Sequence, residues 1–513
     1  MIPFYQPARH SNKNIMTNAE IRAAQKDLST LITGTIVAAG QQGFADTTTI
    51  DNGRVTIQPY LAAFPESTKD VAAVIKYCRT HNIKLTTKSG GHSAAGYSLN
   101  ADGIVLNLSN LNTITPVGND RLSVGFGTRW IHLYDYIETR KRGMLAVGGG
   151  CGTVGVGGFL LGGGFSFASR SYGLASDNIH SMEFVAADGQ ILTLSDKLTN
   201  KNEQDLYWAL RGAGGGNFGV VTQAEIQLHK TPTATMTAGT VLFPFYRIHE
   251  ILPFYNEWVE TLPDTMAVYG MLRYFPDPRR NGSLILCIQF TPVYNGQFDE
   301  GAKLLRPLID LSPISVQQYS MTLPEWEHFV GGATLVQGRP AYIRSVIFEP
   351  KTLTPAVADI CMKYMGTAPN TDSYVVWTHL GGKISENSET YGSFAHRKGR
   401  FTFELKAIWD PNPMSNLRTN VEWAVEFFDE LEKHSQQDPK TPARAYLNYI
   451  DPLLVDWHTK YYRDNYARLL AIKGHWDPKG QFDFQQGIGS GFNPTRPKSP
   501  EPLDLSPLTR THV

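Results

Sequence analysis

Residues 148–158 read Gly-Gly-Gly-Cys-Gly-Thr-Val-Gly-Val-Gly-Gly, and Gly162-Gly163-Gly164 follow. They lie in a region, Gly143 to Gly219, that holds 18 of the chain's 47 glycines, about 23% of its residues against about 7% elsewhere. Patterned apolar residues run through the region, so it is not low complexity. Glycine at this density implies backbone passing very close to something, or many positive φ angles. A planar or phosphate-bearing cofactor accounts for both. The 27 residues Gly143 to Ser169 carry no charge and are long enough to span a bilayer. Eleven of them are glycine, a poor helix former, so a folded loop region is the better reading.

Two further clusters flank this strip. Upstream, Lys88-Ser89-Gly90-Gly91-His92-Ser93 follows an apolar strand pattern. Its paired glycines leave backbone N–H groups free to form an anion-binding nest with His92 at its edge, although a plain turn reads the same way. Downstream, Gly214-Gly215-Gly216-Asn217-Phe218-Gly219 contains the letters GxGxxG but precedes a strand rather than a helix, which excludes a nicotinamide fingerprint. Cys151, flanked by glycines, is sterically open to reaction, though a small buried thiol is the commoner role.

Composition narrows the class. The 513 residues are 42% hydrophobic and 18% charged, enough for a large core and too little charge for bulk disorder. Lys+Arg and Asp+Glu are both 47, which argues against a nucleic-acid binder driven by phosphate neutralisation. Four cysteines exclude a disulfide scaffold, and no Cys/His spacing fits a zinc site, so no metal is expected. The first residues lack the apolar core of a signal peptide, which points to an intracellular protein, or a secreted one if a leader has been removed. No membrane span is expected.

The pattern of elements is α+β. Val71 to Asn82 reads as a helix with Val71, Val74, Ile75 and Cys78 on one face, started by Pro65-Glu66-Ser67. Ile83 to Thr87 and Gly103 to Leu108 read as strands. Met182 to Val185 and Ile191 to Leu194 flank Asp188-Gly189, a hairpin signal. After His229-Lys230-Thr231-Pro232 glycine falls. Strands are expected at 266–274, 283–289, 374–379 and 401–408, and helices at 248–259, 301–311 and 416–434. The turn signals, Pro276, Pro278 and Asn281-Gly282 among them, make this second sheet antiparallel. Helical spacing returns at Tyr462, Tyr466, Leu469 and Leu470, and a proline-rich tail follows Gly489.

Several motifs now stand in order: GGHS at 90–93, CGTVGVGG at 151–158, LYWALRGAGGGNFGVVT at 206–222, AYLNYID at 445–451 and YYRDNYARLLAIKGHWDP at 461–478. Together they resemble the berberine-bridge-enzyme-like, bicovalent branch of the vanillyl-alcohol-oxidase flavoproteins, over about residues 55–225 and 440–490. The resemblance implies a two-part FAD-binding domain, residues 1–231 and 441–490, an inserted substrate domain at 232–440, and a tail at 491–513. It implies FAD linked covalently through His92 and Cys151. Ser89, Gly90, Gly91, Ser93, Gly150, Thr153, Val154, Gly157, Gly158, Gly162, Gly219, Val220, Val221 and Asn448 complete the expected cofactor site. Val154 resembles an oxygen gate whose small side chain goes with oxidases.

In similar carbohydrate oxidases the second tyrosine of Tyr-x-Asn-Tyr, here Tyr449 with Tyr446 before it, takes the substrate hydroxyl proton. A free tyrosine has a pKa near 10 and needs help. The aspartate that gives such help stands before a Gly-Gly pair. Here Thr378 occupies that place and His379 follows, so His379 is the third catalytic candidate. The implied activity is hydride removal from an alcohol-bearing carbon, with O2 as acceptor and H2O2 as product. The substrate is a small molecule, either a secondary metabolite or an oligosaccharide oxidised to a lactone. A flavin-dependent cyclase and a non-redox flavoprotein are the alternatives.

Overall fold

The computed structural model describes residues 16–277, 280–331, 338–388, 390–411 and 415–494. Pro278 of the expected turn and most of the tail lie outside them. The helix Thr68–Thr80 shows how the first part forms. The Ser67 side chain caps it by accepting from the Asp70 N–H, and Val71, Val74, Ile75 and Cys78 are buried, the face read from the sequence. It packs on a four-stranded sheet ordered Thr35–Ala38, Leu61–Phe64, Gly103–Asn107, Lys84–Lys88, whose last three strands are parallel. A five-stranded antiparallel sheet, ordered Ile114–Val117, Arg121–Gly125, Gly219–Gln227, Ile179–Ala186, Ile191–Ser195, shares the same core. The Asp188-Gly189 hairpin joins its last two strands. Trp457, Tyr461, Leu469 and Ile472 from the C-terminal helices enter this core too, so the end of the chain returns to its beginning.

Between them lies a seven-stranded antiparallel sheet, ordered Ser315–Met321, Met236–Pro244, Leu284–Tyr294, Met266–Pro276, Tyr374–His379, Phe401–Ile408, Ala341–Phe348. Its faces differ because strand side chains alternate. Leu272, Phe290, Val375, Trp377, Phe403 and Leu405 pack into one core with the helices Ile248–Trp258, Pro355–Gly366 and Ser415–Glu432. Their neighbours Met271, Thr291, Val376, Thr378, Glu404 and Lys406 face the glycine-rich loops across a cavity.

Buried charge also joins the parts. Arg397 grips Asp177 with two hydrogen bonds of 2.6 and 2.7 Å, and the side chains are 1% and 4% exposed. Among the described residues no helix is long and apolar enough to cross a membrane, and no cluster of three His, Cys, Asp or Glu could hold a metal.

Removing one partner of such a pair leaves the other charge buried and uncompensated. Asp177→Ala is therefore expected to lower stability by roughly 3–5 kcal/mol, read from chemical or thermal unfolding.

Candidate active site

The site begins where two glycine loops cross. A Cβ added to Gly90 would stand 2.2 Å from the Gly155 nitrogen, and one added to Gly155 would stand 2.3 Å from the Gly90 nitrogen. Only glycine at both positions allows the approach. The crossing brings His92 and Cys151 together over Thr153, whose Oγ1 lies 2.9 Å from His92 Nε2 and 3.2 Å from Cys151 Sγ. His92 Nδ1 faces Asp51 Oδ2 at 3.8 Å. Burial pushes the His92 pKa below its ordinary value against the opposing pull of Asp51. The imidazole is then neutral near pH 7, the form with a free lone pair. Of the four cysteines, Cys78, Cys287 and Cys361 are buried and Cys151 is half-buried.

Both residues open onto a cavity of about 620 Å³. Ser89, Gly90, Gly91, Ser93, Gly150, Val154, Gly157, Gly158, Gly219, Val220, Val221 and Asn448 line it with them. Thr153 acts from behind through the two side chains it touches. Gly162 also sits off the cavity, against the Asn448 amide: a Cβ there would fall 1.9 Å from Asn448 Oδ1.

The sheet side of the cavity carries titratable groups. Tyr449 is half-buried, and its hydroxyl interacts electrostatically with Glu404. Lys406 Nζ stands 3.4 Å from Glu404 Oε1. Burial raises the Glu404 pKa, partly offset by Lys406 and by Tyr449. Burial and the neighbouring Glu404 hold Tyr449 well above the usual phenol range. Burial works against the Lys406 charge, but Glu404 and Tyr374 keep its pKa raised.

Tyr446 is held on the same cavity by hydrogen bonds. Its hydroxyl accepts from the Gly164 N–H and the Asn448 amide, both at 2.9 Å, and its ring stacks on Phe165 at 4.1 Å. Held this way, it meets Tyr449 edge-to-face at 5.0 Å and fixes that ring.

The chain matches the FAD binding domain family over residues 59–195 and the berberine and berberine-like family over residues 445–489. An uncharacterised FAD-linked oxidoreductase of Bacillus subtilis is 28% identical over 469 residues, 90% of this chain and 99% of its own. Reticuline oxidase of Papaver somniferum is 26% identical over 466 residues, 84% of each chain. The solved structure of Physcomitrella patens BBE-like 1 superposes with a TM-score of 0.80 at 20% identity, covering 91% of this chain and 98% of that one. Berberine bridge enzyme of Eschscholzia californica gives 0.79 at 22% identity, covering 92% and 99%. The chain carries an FAD binding domain and a berberine-like segment, and along its length it is similar to berberine-bridge-enzyme-like proteins.

The residues of this flavoprotein fit the cofactor. The glycine crossing leaves backbone, not side chains, along one wall, and two side chains able to form covalent links share the opening.

His379 is a correction. It follows Thr378 on an alternating strand, so it points to the other face, where it is 1% exposed and lies outside the cavity lining. Its Nε2 lies 3.2 Å from Arg170 Nη1, and that arginine also donates to the Met266 and Leu380 carbonyls. Burial first, then Arg170 and Arg400, drive its pKa well down. It is a structural residue of the sheet. Glu404 and Lys406 were not singled out by sequence, yet their signal was present. In Phe401-Thr402-Phe403-Glu404-Leu405-Lys406, two opposite charges two apart occupy one face of an otherwise apolar strand.

Gly155→Ala is expected to force the loops apart, costing about 1–3 kcal/mol of stability. FAD content per mole of purified protein should fall with it, read by absorbance.

Proposed function

We propose that this flavoprotein is an oxidase that removes a hydride from an alcohol-bearing carbon, with Tyr449 and Glu404 taking the hydroxyl proton. The observation that carries this reading is the pairing of Tyr449 with a buried Glu404 on the lining of the cavity onto which His92 and Cys151 open. FAD, when bound, supplies the hydride acceptor and passes its electrons to oxygen.

The protein residues do the rest. His92 and Cys151 hold the cofactor by covalent links, so the cavity need not close over it. The substrate hydroxyl donates to the Tyr449 oxygen while Tyr449 donates to the Glu404 carboxylate. A phenol with so high a pKa is a poor free base, but here it need not ionise in advance. Its proton leaves for Glu404 as the substrate proton arrives. Lys406 keeps Glu404 ionised. Val154 lines the cavity three residues after Cys151 and leaves room for oxygen.

The wall around Met271, Phe275, Phe329, Val330, Ile343 and Val376 is apolar. It favours an alcohol with an apolar body, of the kind found among secondary metabolites. Thr240, Gln289 and Thr291 on the same lining favour an oligosaccharide, oxidised to a lactone, as the second reading. A peroxide-coupled screen of polycyclic alcohols and sugars separates the two.

The acid limb of kcat/KM tests the base. Ionised Glu404 is the competent form, so activity is lost as pH falls through its raised pKa. The limb should lie above the ordinary carboxylate range, move higher in Lys406→Met and vanish in Glu404→Gln. Tyr449→Phe should lower kcat by roughly 10²–10⁴. An unchanged kcat in Tyr449→Phe would remove the relay.

A further inference from the structure

One buried acid has no part in this chemistry. Glu327 stands on the helix Leu323–Gly331, 1% exposed, and lines the cavity beside Phe329 and Val330. Neither carboxyl oxygen has a hydrogen-bond partner among the described residues. Oε2 would lie 2.8 Å from a Cβ on Gly150, so the carboxyl rests directly against the loop that leads to Cys151. The titratable groups whose charge it feels are the phenols of Tyr134 and Tyr269, not a cation. Tyr134 already donates its hydroxyl proton to the Gly149 carbonyl at 2.8 Å. The Tyr269 ring stacks on Phe167 at 4.0 Å, and its hydroxyl faces Thr378.

A carboxylate left unpaired in such a place is strongly disfavoured, so the group stays protonated. Burial alone raises its pKa well above the ordinary value. A neutral carboxyl presents one O–H, and no acceptor among the described residues takes it. Tyr269 also lies within electrostatic reach of Tyr449. Glu404, Tyr449, Tyr269 and Glu327 thus all line one cavity, among apolar side chains.

We infer that Glu327 is a substrate-orienting residue whose protonated carboxyl donates a hydrogen bond to a second oxygen of the substrate, a carbonyl or ether oxygen remote from the reacting alcohol. The inference rests on the oxidase reading for the word substrate, but not for the binding it describes. The preferred ligand has an apolar body, an alcohol at the Tyr449 end and an acceptor oxygen at the Glu327 end. A substrate lacking that oxygen leaves the carboxyl unsatisfied and is selected against.

The test needs no turnover. The FAD-loaded protein is titrated with meta- and para-methylacetophenone, which carry the acceptor oxygen but no oxidisable alcohol. The matching ethyltoluenes lack the oxygen. Binding is read from perturbation of the flavin absorption. At least one ketone should bind roughly fivefold tighter than its ethyl counterpart. Glu327→Leu should erase the difference, and Glu327→Gln, which keeps an N–H donor, should retain part of it. Infrared difference spectra give a second readout should the leucine variant fail to fold. A protonated-carboxyl band should shift when the ketone binds and be missing from Glu327→Gln. Equal or absent binding of the ketones, an undiminished preference in Glu327→Leu, or no carboxyl band assignable to Glu327 would overturn the inference. Loss of the relay in the Tyr449 and Glu404 variants would leave it standing.

Discussion

Two strips of backbone that touch at Gly90 and Gly155 hold the site together. No Cβ fits on either side of the contact. From it follow the position of His92, the position of Cys151 and the bridge that Thr153 makes between them. One loop follows the strand Lys84–Lys88 of the four-stranded sheet, and the other lies between the helix Trp130–Arg140 and the helix Val156–Leu161. The C-terminal helices pack into the core that the two sheets share. A single methyl group added at the crossing would act on the fold and on the cofactor together.

The second constraint is the pleat of the seven-stranded sheet. One face needs apolar residues to bury the covering helices, and the other is free to carry function. This division lets Glu404 and Lys406 stand in the middle of a core strand without disturbing the core, because Phe401, Phe403, Leu405 and Ala407 are the residues that face the helices. The pair is buried yet compensated. Lys406 supports the charge of Glu404, and the neighbouring Tyr449 favours it further. Among the described residues Glu327 has neither form of support. That contrast, between two acids on one cavity, separates a group fit to accept a proton from one fit to keep it.

Much of this was legible in the sequence. The strand Phe401–Ile408, the strand Tyr374–His379 and the buried face of the helix Thr68–Thr80 agree with their patterns because burial imposes the periods from which they are read. Glycine spacing pointed to the loops because close backbone approach excludes other residues. What sequence did not show is which residues meet across the sheet. Tyr449 and Glu404 are neighbours through tertiary packing, and no local pattern joins positions in a short 3₁₀ turn and a distant strand. His379 was misplaced for the opposite reason. Its neighbour Thr378 faces the cavity, and the alternation of the strand turns the next side chain away. Glu327 lies on a short helix that reads as an ordinary amphipathic segment, and only its burial without a partner sets it apart.

The most direct measurement is the absorption spectrum of the purified protein before and after acid precipitation, with His92→Ala, Cys151→Ala and the double variant alongside. The geometry predicts a yellow pellet from the parent and from each single variant, and a colourless one from the double variant. A colourless pellet under a yellow supernatant from the parent protein would contradict the covalent role of both residues, and with it the central place given to the loop crossing.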